Sequence, residues 1–177
     1  MMKNIVLIGM PGTGKSTVGK TLAKELHYRF VDVDDLIVEA AGKTLPQILR
    51  TDGLESFLKI EGEVGSQLDR DGSIIATGGS MVLSGAAMEH LKKNSVVVWL
   101  ETPLSAINDR MPEDLTDRGI AAQQGMTIRQ IYEQREPLYA RYADLIVASG
   151  PNEQETALQV LQMLRTVGIS LEEPHRA

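Results

Sequence analysis

Gly9-Met10-Pro11-Gly12-Thr13-Gly14-Lys15-Ser16-Thr17 has the residue types and spacing of a polyphosphate cradle, G-x-x-x-x-G-K-[ST]. Such a loop needs glycines, because its backbone N–H groups must approach the ligand without side chains in the way. The helix expected to start inside it adds unpaired amides and a positive dipole end. Gly12, Thr13, Gly14, Lys15, Ser16 and Thr17 are therefore the candidate contacts for a nucleoside triphosphate. Lys15 is the cation for the outer phosphates, and Ser16 is the hydroxyl for Mg²⁺. The flanks fit the same reading. Lys3 to Ile8 is a short apolar run suited to a buried parallel strand, and Val18, Leu22 and Leu26 recur at helical spacing.

Further candidates lie where later strands should end. Arg29-Phe30-Val31-Asp32-Val33-Asp34 reads as a strand closing in two carboxylates, which lean the same way if the extended form persists. At a strand's carboxyl end two acidic groups could hold a water on Mg²⁺ and take a hydrogen bond from a substrate hydroxyl. Asp34 and Asp35 also suit a helix N-cap. Gly78-Gly79, after the apolar run Ser73 to Thr77, would let a ligand approach the backbone, although a plain strand-to-helix turn fits too. On the helix expected over Leu54 to Leu68, Glu61 lies about 55° from the centre of the apolar stripe. It therefore points partly inward. Either an arginine from elsewhere partners it or it is a solvated edge residue. Leu58 is expected at the helix flank, where it could face a pocket.

The elements that must hold these residues alternate. Strands are expected near 3–8, 29–33, 73–77, 95–100 and 144–147, with helices between them. Thr102 and Thr127 are read as N-caps, and the last helix begins at Ser149 to Asn152 and ends before Gly168. Alternation of this kind implies a three-layer α/β/α fold with a five-stranded parallel sheet, of the nucleoside-monophosphate-kinase-like phosphate-loop type. Residues 111–126 lack periodicity and carry Pro112, Arg118, Gly119 and Gly125. They are read as a lid whose Arg118 could be brought onto the phosphates. One kinase domain over residues 1–168 and a loose tail over 169–177 are expected.

Composition narrows the partners. The 177 residues suit one compact domain, and a net charge of −6 argues against nucleic-acid or membrane-surface binding. There is no cysteine, which excludes disulfides and thiol chemistry. No apolar run approaches a membrane span and no targeting segment is evident, so a cytoplasmic monomer acting on a small molecule is expected. Every basic residue after Lys93, apart from the histidine near the end, is an arginine, the side chain whose fork matches carboxylate and phosphate.

Taken together, Phe30 to Asp34, Phe57 with Glu61, Gly78-Gly79, the lid arginine and Arg135-Glu136-Pro137-Leu138-Tyr139 resemble the shikimate kinase family from Lys3 to about Leu164. The resemblance implies phosphoryl transfer from ATP to a hydroxyl of shikimate. By position it implies Asp32 with Ser16 for Mg²⁺, Asp34 as substrate ligand and base, Gly78 and Gly79 at the substrate, and Arg135 on its carboxylate. It also implies Arg118 on the transferring group, and Arg110 and the segment after Ser149 beside the adenine. Three positions depart from the family pattern: Leu58 stands where an arginine is usual, Ser80 replaces a third glycine, and Gly119 replaces the proline after the lid arginine. Loss of one member of a two-arginine clamp removes a contact of about 1.5–3 kcal/mol. The residues also accommodate a kinase of the same build acting on another sugar acid or polyol, such as gluconate, and a nucleotide-gated binding protein.

Overall fold

The computed structural model describes residues 3–168, so the expected loose tail lies outside the described residues. Five strands form one parallel sheet: β1 (Asn4–Ile8), β2 (Arg29–Asp32), β3 (Ser73–Ala76), β4 (Ser95–Glu101) and β5 (Leu145–Ala148), in the order β2-β3-β1-β4-β5. The central strand β1 is buried along its whole length and registers Val6 between Ile75 and Val97. Burial on both faces explains why its sequence is continuously apolar instead of alternating.

Alternate residues divide the core in two. Ile5 and Leu7 pack with Val18 and Leu22 of α1 (Lys15–Leu26) and with Val160 and Leu164 of α8 (Glu153–Thr166). Val6 and Ile8 face the other way. On that side lie α2 (Val33–Ala41), α3 (Leu45–Thr51), α4 (Gly53–Ser66), α5 (Gly85–Lys92), α6 (Leu104–Asn108) and α7 (Ile128–Tyr142), which contribute Ile37, Ile48, Phe57, Met88, Ile107 and Tyr139. The result is the three-layer α/β/α arrangement anticipated above. The chain leaves β1 toward one edge of the sheet and later crosses β1 to reach β4, so a crevice opens at the carboxyl end of β1.

Several boundaries differ from the sequence reading. β2 stops at Asp32 and α2 begins at Val33, so the extended form does not continue to Asp34. The cap is Asp32, whose Oδ1 accepts from the Asp34 N–H at 3.1 Å. Asp34 sits in the first helical turn instead. Thr102 does not cap α6; its hydroxyl is 2.6 Å from that of Ser149, which ties the ends of β4 and β5 together. Thr127 does cap α7, in a reciprocal pair with Gln130. No helix among the described residues is long and apolar enough to cross a membrane.

Candidate active site

The phosphate loop bridges β1 and α1. Its last glycine, Gly14, caps α1 with φ +85, a left-handed conformation that lets the chain turn sharply into the helix. The first-turn amides of α1 are left without helical partners, which suits an anion. Lys15 is buried, and its Nζ donates to the carbonyls of Gly9 and Met10, each at 2.8 Å. Burial pulls its pKa down to about 8, against the opposing influence of Asp34 and Asp32. Thr13 is buried beneath, with its hydroxyl 3.5 Å from the same nitrogen.

Carboxylates face this cation. Ser16 Oγ donates to Asp32 Oδ2 at 2.6 Å, joining the start of α1 to the end of β2. A hydroxyl and a carboxylate in contact are hard oxygen donors of the kind Mg²⁺ selects, and phosphate oxygens and water can complete its shell. Among the described residues, no group of three or more His, Cys, Asp or Glu side chains forms a metal cage. Asp34 is half-buried, and desolvation, then the Asp32 charge, raise its pKa to about 6 against the pull of Lys15.

The opposite wall comes from α4, the turn after β3, and α7. Gly78 is required by close approach: a Cβ there would stand 2.5 Å from Glu61 Oε1 and 3.1 Å from Asp34 Oδ1. The next carbonyl, of Gly79, accepts from the buried Tyr139 hydroxyl at 2.6 Å, which anchors the turn to α7. Arg135 is only 1 % exposed. Its Nη2 donates to the Ala121 carbonyl, while Nε and Nη1 have no protein partner. Glu61 is equally buried, and its partner is not an arginine. Oε2 accepts from Ser80 Oγ at 2.7 Å, and Oε1 is unpaired. Burial raises the Glu61 pKa to about 7; Asp34 reinforces this, while the Ser80 hydroxyl and the more distant Arg135 and Lys15 oppose it.

Over the top runs the segment expected to be a lid. Arg118 Nη1 donates to the Arg110 carbonyl at 2.6 Å, and Arg110 Nη1 donates to the Gly12 carbonyl at 3.1 Å. Asp117 forms an ion pair with Arg50 of α3. The residue after Arg118, Gly119, turns with φ +72 close against Leu45.

These elements enclose a cavity of about 310 Å³. Gly12, Gly14, Lys15, Ser16, Thr17, Asp34, Gly78, Gly79, Arg118 and Arg135 all line it. Of the remaining sequence-derived candidates, Thr13 and Arg110 support the phosphate loop, and Asp32 reaches the cavity edge through Ser16. Leu58 is not on the lining; it is half-buried against the apolar cluster of this face of the sheet. Sequence reasoning missed Ser80, which lines the cavity, and Tyr139, which anchors the Gly79 carbonyl from behind the wall. A larger hollow of about 880 Å³ lies at the amino-terminal edge of the sheet, beside Asn4, Arg29 and Asn94, remote from the phosphate loop.

A phosphate loop at the crevice of a parallel sheet, with carboxylates opposite and an arginine-bearing flap above, defines the class of small-molecule phosphate-loop kinases. The sequence model described as shikimate kinase matches residues 11–165. A shikimate kinase of Sulfurihydrogenibium is 35% identical over 166 residues, covering 93% of this chain and 97% of that protein. One from Synechococcus is 39% identical over 165 residues, covering 91% and 84%. A solved shikimate kinase from Acinetobacter baumannii, in complex with shikimate, superposes with a TM-score of 0.86 at 29% identity, covering 96% of this chain and 97% of that one. The chain belongs to the shikimate kinase family.

Proposed function

We propose that this protein phosphorylates shikimate to shikimate 3-phosphate with ATP as donor. The observation that carries the reading is the shared cavity. Lys15 and the first turn of α1 stand on one side, and Asp34, the Gly78-Gly79 turn and the unpaired Nε and Nη1 of Arg135 stand on the other. A buried guanidinium with two open donors calls for an anionic, planar partner, and a substrate carboxylate fits. Asp34 then faces the ring hydroxyls. It takes the hydroxyl proton as the new oxygen–phosphorus bond forms and the bond to the bridging oxygen of ADP breaks. Phosphoryl transfer asks for alignment and charge neutralisation more than covalent help. Lys15 neutralises the outer phosphates, and Arg118 does so from the flap. Ser16 and, through water, Asp32 would hold Mg²⁺, whose part is to screen the phosphate oxygens. Arg110 and the segment after Ser149 flank the base; Glu153 already packs against Gly14.

With a charge of −6 and a cavity sized for a metabolite, the enzyme acts on this reading as a cytoplasmic monomer without nucleic-acid or membrane partners, which gel filtration checks for the oligomeric state. The activity is tested by coupled ADP release with shikimate, gluconate and nucleoside monophosphates as acceptors. Stimulation by shikimate above the others is expected; preference for gluconate, or no stimulation by any acceptor, overturns it. Asp34→Ala should lower kcat by at least about a hundredfold, as for other positioned bases, with nucleotide affinity near normal. Wild-type turnover in that variant would remove Asp34 from the chemistry.

A further inference from the structure

Glu61 and Ser80 form a buried polar pair for which the mechanism above has no use. Glu61 is 1 % exposed and lines the acceptor side of the cavity, and its Oε1 has no partner. Its neighbour one turn earlier on α4, Leu58, is apolar, and Lys59 turns outward to Glu63. No ion pair forms between Glu61 and any cation among the described residues. Its one hydrogen bond comes from Ser80. Ser80 precedes the short turn Met81–Leu83, where a serine hydroxyl would ordinarily cap the following amides. It makes no such cap and is committed to the carboxylate instead.

We propose that Ser80 is a positioning residue for the acceptor: by holding Oε2 of Glu61 it aims Oε1 into the cavity beside Asp34, where Oε1 accepts a hydrogen bond from an acceptor hydroxyl. The closeness of both carboxylates to Gly78 supports this, since Oε1 and Asp34 Oδ1 flank the same glycine. Two acceptors side by side suit neighbouring hydroxyls on one ring. The groups facing Glu61 are Asp34 on α2, Lys15 on α1, and Arg135 and Tyr139 on α7. Ser80 favours the ionised form, in which both oxygens act only as acceptors. The proposal deepens the acceptor reading and rests on it.

The test uses the full chain and the variants Ser80→Ala and Glu61→Gln, alone and together, with shikimate and ATP varied separately. Ser80→Ala should raise the shikimate KM about tenfold, the usual scale for losing a hydrogen bond to a charged group, while the ATP KM stays within about twofold. The acidic limb of kcat/KM should move to higher pH. In the Glu61→Gln background, Ser80→Ala should add nothing. Ser80→Thr, which keeps the hydroxyl, should restore the shikimate KM. Equal effects on both substrates, additive losses in the double variant, or an unmoved acidic limb overturn the proposal. A carbon-13 titration of the Glu61 carboxyl, assigned by its absence in Glu61→Gln, separates this from the function itself. If shikimate is not phosphorylated at all, the acceptor reading fails. An unmoved Glu61 titration in Ser80→Ala, with shikimate still turned over, sinks only the Ser80 claim.

Discussion

Glu61 carries opposing demands of stability and chemistry at a single residue. Its pKa is 4.5 in the unfolded chain and about 7 in the fold. Between those values the folded state binds more protons than the unfolded one, so stability falls as pH rises through this window. Below about pH 4.5 the cost of burying Glu61 is absent; above about pH 7 it is nearly complete, on the order of 3 kcal/mol. Glu61→Gln keeps the shape and removes the titration. Urea denaturation should therefore show the variant gaining on the wild type between about pH 5 and pH 8, by roughly 2 kcal/mol. A difference that does not change with pH would mean that Glu61 keeps its charge in the fold. The inward tilt of Glu61 was legible from helical periodicity. Its partner was not, because Ser80 arrives on a different loop and periodicity describes only one element at a time.

At the scale of elements, local signals held where the element decides its own limits. The last helix, α8, starts from its Asn152 cap and ends before Gly168 as expected, and the Thr127–Gln130 capping box starts α7. Signals failed where tertiary partners compete. Alternation predicted a longer β2, yet the Asp32 side chain serves both the Asp34 amide and the Ser16 hydroxyl, and that double demand ends the strand. Thr102 was drawn away from capping by Ser149. The cap of α7 matters because this helix carries both Arg135 and Tyr139. Thr127→Ala should cost about 1 kcal/mol of stability. For a chain of this size that lowers Tm by about 2–4 °C. The shikimate KM should barely move, since both site residues sit at least two turns beyond the cap and are pinned by burial. A calorimetric scan beside steady-state kinetics checks both; a large KM change with intact Tm would show that the cap sets the site rather than the helix.

Across the whole molecule, the cavity closes where the flap meets the body, and Gly119 is the contact. Its φ of +72 disfavours any side chain, and a Cβ there would lie 2.6 Å from Leu45 Cβ, a backbone-anchored atom that cannot swing away. Gly119→Ala must therefore shift the flap off α3, at about 1–2 kcal/mol if the left-handed conformation is kept. The shift reaches the chemistry on both sides. Arg118 precedes Gly119, and two residues after it lies Ala121, whose carbonyl receives Arg135. The Asp117–Arg50 pair does little to resist, because both partners are more than half exposed. The family likeness placed Arg118 and the missing proline in view, but the collision with Leu45 could be seen only with α3 and the flap in one frame. Gly119→Ala should lower kcat by about ten- to a hundredfold, the scale on which small misplacements of positioning groups act. It should also release more ADP than phosphorylated acceptor is formed, because a displaced flap admits water to the phosphates. Wild-type kcat with strict one-to-one coupling in this variant would mean that the flap has no part in the reaction.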